Sequence, residues 1–229
     1  MDSVLVSKIA KGYELSHDFL QTKLNEKSKV VILPWAFPTK LDKKRFSEEY
    51  FKEGEPKYNK YVNPLLELKV KKENIYISNP YDEEKNHLKE KIKEADCLIL
   101  PGGNPEMFFN LVVHKFDLLY DIKYFKGLVI GESAGAVLHL ERYFITAKNN
   151  YYQYFAFYDG FGMLKDPFYI DVHTSNNKPY LEKLKKIAEE KEKDIYAIYD
   201  DGAMILNRKT LAYQLLGNVK KISYEKGEK

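Results

Sequence analysis

The chain has 229 residues, 44% of them hydrophobic, with one cysteine and a formal charge of +3 from 37 basic and 34 acidic side chains. That suffices for one α/β domain over 1–229, and lysines nearly balanced by acids, with no dense basic cluster, read as a solvated surface and exclude a nucleic-acid footprint. No apolar run reaches the ~18 residues of a membrane span, the acidic start Met1-Asp2-Ser3 does not read as a signal peptide, and the lone Cys97 excludes an internal disulfide or a cysteine metal cluster, so a cytoplasmic setting is the simplest expectation.

In chain order, Val4–Val6 is a weak first strand. Ser16 to about Lys27 reads as a helix with Phe19, Leu20 and Leu24 on one face and Ser16 as its N-cap. Val30-Val31-Ile32-Leu33 is a buried strand ended by Pro34. Lys43–Lys52 and Val62–Lys71 read as helices, Asn74–Ser78 as a strand, Asp82–Glu94 as a helix and Asp96–Leu100 as a continuous apolar strand. Pro101-Gly102-Gly103-Asn104-Pro105 is a loop, and helical patterns follow over Glu106–Val113 and Lys115–Tyr124. Leu128-Val129-Ile130 then runs as a strand into Gly131-Glu132-Ser133-Ala134-Gly135-Ala136. Tyr143–Tyr158 is rich in Tyr and Phe, with a turn at Asn149-Asn150. Phe168–Val172 is a strand, Pro179 opens a helix to about Lys191, and Ile195–Tyr199 is a further strand. Asp200-Asp201-Gly202-Ala203 reads as a tight turn joining paired strands, and Met204–Leu206, Leu211–Leu215 and Val219–Tyr224 as a small antiparallel C-terminal edge. Alternating strands and helices, with strands apolar throughout, predict a mostly parallel sheet with helices on both faces, an α/β three-layer sandwich. Such sheets bind ligands outside the carboxyl ends of their strands, where the loops at 101–105 and 131–135 both fall.

Gly-x-Ser-x-Gly between a strand and a helix is the layout of a nucleophile elbow, although ordinary strand-to-helix turns use the same residue types. Ser133 would need a base. His17 and His87 lie in charged helices, His114 ends a helix, and His139 lies on the helix after the elbow, pointing along it and not back to the turn. His173, in a polar loop after a strand, is the candidate. The carboxylate to orient it is Asp200 in preference to Asp201, whose Asp-Gly context is turn chemistry, to Asp171 on the same strand as His173, or to Glu141. The backbone N–H of Ala134 and that of Gly102 or Gly103 are candidate oxyanion donors. Cys97, inside an apolar strand, reads as a small core residue, and no spacing of His, Asp and Glu suggests a metal.

Leu100-Pro101-Gly102-Gly103-Asn104, then Gly131-Glu132-Ser133-Ala134-Gly135-Ala136, then His173 resemble, in order and over nearly the whole chain, the peptidase S51 family of dipeptidase E and cyanophycinase, which shares the class I glutamine amidotransferase fold. The resemblance implies a serine nucleophile at Ser133, a histidine base at His173 and an oxyanion hole at Gly103 and Ala134. It puts Gly102 and Asn104 on the substrate side. Ile198–Ala203 looks like the segment that carries the triad acid in the cyanophycinase branch, which falls on Asp200. The dipeptidase E branch carries an aspartate after the elbow helix, where this chain reads Thr146-Ala147-Lys148-Asn149-Asn150. Val137 stands where that branch commonly has Asn, and Glu132 where Thr or Trp is common. Class I amidotransferases use Cys where this chain has Ser133. The implied activity is hydrolysis of short peptides or peptide-like amides through an acyl-enzyme, without a cofactor, in a monomer or homodimer. The competing expectations are a non-catalytic binding or sensor protein on the same fold, and an esterase using the same triad. The aromatic cluster Tyr151, Tyr152, Tyr154 and Phe155 is expected to form core or a dimer contact in preference to a lid.

Overall fold

The short apolar runs become strands whose two faces are both covered. Leu5, Val31, Leu98, Leu100 and Val129 point into one core, while Val4, Val6, Val30, Ile32, Cys97, Ile99 and Ile130 point into another on the opposite side. Burial on both faces is the reason these strands lack polar alternation. The computed structural model describes residues 1–37, 41–146, 155–165 and 167–224. Its elements are β1 (Asp2–Val6), α1 (Ile9–Gln21), β2 (Val30–Ile32), α2 (Lys43–Phe51), α3 (Pro56–Glu67), β3 (Ile75–Ile77), α4 (Lys85–Glu94), β4 (Cys97–Leu100), α5 (Pro105–Asn110), α6 (Leu119–Lys123), β5 (Leu128–Glu132), α7 (Ala134–Val137), β6 (Arg142–Ile145), β7 (Ala156–Asp159), β8 (Tyr169–Val172), α8 (Lys178–Lys191), β9 (Ile195–Asn207) and β10 (Tyr213–Ile222).

The main sheet runs β10-β9-β1-β5-β4-β2-β3, with β8 also paired to β9. From β3 to β1 all pairings are parallel. Tyr13, Phe46, Tyr50, Tyr58, Tyr61 and Leu65 from α1, α2 and α3 cover one face. The other is covered from α4 to α8 by side chains such as Leu88, Phe108, Ile122, Ala136 and Leu184. The result is the expected α/β sandwich, with the β6–β7 hairpin as a small second sheet.

Three local expectations are corrected. Helix α1 begins seven residues before Ser16, so Ser16 is no N-cap; its hydroxyl donates to the Gly12 carbonyl at 2.5 Å inside the helix. Gly12 lets the helix lie close on β1, since a Cβ on it would lie 2.4 Å from Val6 Cγ1. Helix α3 starts at Pro56 and ends at Glu67, tolerating Pro64 in its interior where the sequence suggested a start at Val62. Asp200-Asp201-Gly202-Ala203 is not a hairpin turn: β9 runs through it unbroken for 13 residues and the true hairpin lies after Asn207. Ile198 pairs with Val219 and Gly202 with Gly217, so Tyr199, Asp200 and Asp201 stand opposite Asn218 alone. This is a β-bulge, for which Asp-Gly is as apt as for a turn.

The bulge also marks where β9 changes neighbours. Its first part, Ile195–Ile198, pairs in parallel with β8; its last part, Ala203–Asn207, pairs antiparallel with β1. β8 and β1 therefore lie end to end along the same side of β9, running toward each other. Their carboxyl ends meet beside the bulge.

Candidate active site

Ser133 sits immediately after β5 with φ 48° and ψ −105°. A non-glycine residue in this region carries backbone strain on the order of 1–3 kcal/mol, which persists only when its surroundings over-determine it. They do so here. The Ser133 N–H donates to the Val6 carbonyl at 2.8 Å, and its carbonyl accepts from Ala136 and Val137 at 3.0 and 3.1 Å. Gly135 lets α7 lie directly on β4, since a Cβ there would fall 1.9 Å from the Leu100 carbonyl oxygen.

His173 follows β8 with φ 53°. Its N–H donates to Ser7 Oγ at 2.9 Å, and Ser7 Oγ–H donates onward to the Ile198 carbonyl at 2.7 Å. Ser7, buried just past β1, thus joins the facing ends of β1 and β8 to β9. The bulge lifts Asp200 out of the ladder, and Asp200 Oδ1 lies 2.6 Å from His173 Nδ1. His173 Nε2 lies 3.0 Å from Ser133 Oγ. A carboxylate can only accept, so Nδ1 carries the proton and Nε2 is left to accept from the serine hydroxyl. Lys8 Nζ holds the other carboxylate oxygen, Oδ2, at 2.7 Å. Partial burial alone would raise the Asp200 pKa, but hydrogen bonds and charge from Lys8 and His173 outweigh it and lower it below the usual range.

Asp171 is buried and accepts from Thr174 Oγ1 and Tyr180 OH, each at 2.6 Å. Asp201 and Glu141 are exposed. His139 corrects the expectation for its direction: the ring turns back toward the elbow, with Nδ1 donating to the Gly135 carbonyl at 2.7 Å. Its Nε2 meets Ser3 Oγ at 3.2 Å, not Ser133. Burial first, then the charge of Arg208, hold its pKa down to about 3 against the Gly135 bond. Cys97 is buried, and desolvation pushes its thiol far up. Among the described residues no group of three or more His, Cys, Asp or Glu is placed to hold a metal ion.

The loop after β4 lies against the elbow. The Gly102 N–H donates to Glu132 Oε2 at 3.2 Å, and the Asn104 N–H donates to the Ala36 carbonyl at 2.7 Å. Asn104 Oδ1 caps α5 by accepting from the Met107 N–H at 3.1 Å. The Gly103 N–H between them has no acceptor among the described residues, and neither has that of Ala134. Gly103 has φ 138°, and a Cβ on it would lie 1.8 Å from the Ala36 oxygen, so only glycine fits. Tyr151, Tyr152 and Tyr154 of the aromatic cluster lie outside the described residues, as does the segment 147–150. Phe155 packs against Phe144 and Phe157, on the core side.

The sequence reading missed Ser7 and Lys8. Ser7 and Lys8 follow a strand of the parallel block directly, which was a usable signal.

A hydroxyl, an imidazole and a carboxylate in hydrogen-bonded series at a strand-to-helix elbow form the arrangement of the α/β serine hydrolases as a class. The chain belongs to peptidase family S51, whose sequence profile matches residues 7–213, and so to the serine-type peptidases. No curated protein matches the sequence. Among solved structures, the chain is similar to a protein of Listeria monocytogenes EGD-e provisionally assigned as a peptidase E, at 20% identity and a TM-score of 0.61, over 93% of this chain and 97% of that one. It is also similar to a peptidase from an acI-B1 actinobacterium, at 13% identity and a TM-score of 0.63, over 99% of this chain and 95% of that one. At these identities the likeness speaks for the fold.

Proposed function

We propose that the chain hydrolyses short peptides or peptide-like amides through an acyl-enzyme on Ser133. The observation that carries this reading is the unbroken series from Ser133 Oγ through His173 to Asp200, at 3.0 and 2.6 Å, with the imidazole in the tautomer a base requires. In this mechanism Ser133 Oγ attacks the scissile carbonyl carbon while His173 Nε2 takes its proton. Asp200 holds the ring and offsets the charge of the imidazolium. The carbonyl oxygen, now an anion, accepts from the N–H groups of Gly103 and Ala134. His173 returns the proton to the leaving amine as the C–N bond breaks, leaving the acyl ester on Ser133. Water, deprotonated by His173, then releases the acid and regenerates the serine.

The test is a fluorophosphonate probe on the folded chain. It should give one adduct, on Ser133, absent in Ser133→Ala and slowed by roughly 10²–10⁴ in His173→Ala. No adduct on folded protein removes the reading. A panel of dipeptides and aminoacyl amides, with and without Asp at the first position, then reads the substrate preference.

A further inference from the structure

Glu132 is the acid that the elbow motif carries where Thr or Trp is common, and it does something no residue of that size could. The side chain is 4% exposed, and every partner it has is a donor. Oε1 accepts from the Ile9 N–H at 3.0 Å and pairs with Lys60 Nζ at 2.7 Å. Oε2 accepts from Tyr61 OH at 2.8 Å and from the Gly102 N–H at 3.2 Å. Burial and the neighbouring carboxylate push the Tyr61 phenol up, so it stays a donor.

Two of these bonds reach the proposed machinery from opposite sides. Ile9 opens α1, whose N-cap residue Lys8 supplies no side-chain cap, so Glu132 takes up that helix N–H from the end of the neighbouring strand β5. The residues just before it, Ser7 and Lys8, are the ones that hold His173 and Asp200. On the other side, Glu132 turns the Gly102 N–H inward while the Ala36 carbonyl takes the Asn104 N–H. With the peptides on both sides pinned, the Gly103 N–H is the one left without an acceptor among the described residues.

We infer that Glu132 is a positioning residue that fixes the Gly102–Gly103 loop and the Ser7–Lys8 segment against the strand end bearing Ser133, and so sets the oxyanion donor and the base together. The inference rests on the proposed serine chemistry. Glutamine is the discriminating substitution: it has the same shape, but its amide replaces one acceptor oxygen by an NH₂ group. Either the Gly102 or the Ile9 N–H must then face a donor.

The experiment follows the second-order rate and the final stoichiometry of fluorophosphonate labelling in wild type, Glu132→Gln and Tyr61→Phe. The expected result is a rate roughly 10²-fold lower for Glu132→Gln, the scale of losing one oxyanion donor, with labelling still reaching one adduct per chain. Tyr61→Phe, which leaves both N–H bonds in place, should stay within about threefold. A Glu132→Gln rate equal to wild type overturns the inference. So does a lower final stoichiometry at an unchanged rate, because that is loss of folded protein and not of positioning. A second measurement needs no variant: in wild type the Gly102 amide should show slow hydrogen exchange despite lying in a surface loop, and exchange at the free-loop rate overturns the clamp. Failure of the wild type to label at all overturns the serine chemistry itself, and is thereby distinguished from failure of the Glu132 inference.

Discussion

Replacing Asp200 by Asn tests the site where its parts compete. The side chains of His173 and Asp200 are 41% and 47% exposed. At ~4 Å an ion pair is worth about 1 kcal/mol in bulk water and about 4 kcal/mol near a protein surface, so for a half-exposed pair a loss of about 2 kcal/mol of imidazolium stabilisation, roughly 30-fold in rate, is the expected share. The second share comes from Lys8. The ammonium on Oδ2 draws the oxygen of the new amide to itself, which leaves the NH₂ group facing His173 Nδ1. That forces the proton onto Nε2, the wrong tautomer for accepting from Ser133, at a further cost of about 1–2 kcal/mol, the worth of a hydrogen bond. Asp200→Asn should therefore slow fluorophosphonate labelling by roughly 10²–10³. Adding Lys8→Met frees the amide to turn its oxygen to Nδ1, and the double variant should recover to roughly 30-fold below wild type, whereas Lys8→Met alone stays within about threefold. A single variant that labels at the wild-type rate refutes Asp200 as the orienting acid, and a double variant no faster than the single refutes the amide argument.

Other changes test the supports. Ser7→Ala removes the acceptor of the His173 N–H and leaves the Ile198 carbonyl with the Thr174 N–H at 3.3 Å alone; at about 1–3 kcal/mol for such a loss, Tm should drop by roughly 2–12 °C in a thermal melt, with slower labelling beside it. Gly103→Ala places a Cβ 1.8 Å from the Ala36 oxygen and should all but abolish labelling, while Gly54→Ala, also at positive φ but with nothing within 4 Å of the new Cβ, should leave it unchanged. His139 is neutral in the fold, with its pKa held down to about 3 from 6.5. The unfolded chain therefore binds more protons between those values, so stability is whole above pH ~6.5 and falls by about 1.4 kcal/mol per pH unit toward pH ~3. Urea melts across that range should show the slope, and His139→Gln should flatten it. Asp200, whose folded pKa is lowered, contributes in the same direction at the acid end: its stabilisation is present above pH ~3.8 and is lost as pH falls through the folded value.

The parallel half of the fold was legible because doubly buried strands leave continuous apolar runs. Val30–Ile32 and Cys97–Leu100 could hardly be anything else once charged helical stretches flanked them. The errors cluster at Gly, Ser and Pro. Ser16 read as the start of a helix that in fact begins at Ile9 and needs Gly12 to approach Val6. The helix read from Val62 begins at Pro56, with Pro64 inside it. Local rules fail at these positions because the deciding partner lies in another element, whether the Val6 side chain for Gly12 or a strand 15–20 residues away for the Asp200 bulge.

The site divides the same way. Ser133 and His173 were legible because each follows a strand and carries a side chain that chemistry restricts. Asp200 was named, though for the wrong local structure: a hairpin turn would have pointed the two aspartates into solvent together, whereas the bulge separates them and sends one to the imidazole. His173 also arrives differently than expected. It comes from a strand running against the parallel block, so it meets Ser133 head-on and not along a shared edge. That geometry explains why the support residues could not be read. Two strand ends approaching from opposite directions leave a gap between them, and the Ser7 hydroxyl bridges it, accepting from the His173 N–H and donating to the Ile198 carbonyl. Glu132 closes the corresponding gap at the start of α1 and at Gly102. Both are polar side chains buried at a junction of elements, where the chain order says nothing about which ends will meet. Their identities follow from the topology, and the strain at Ser133 and His173 is held in place by the bonds they make.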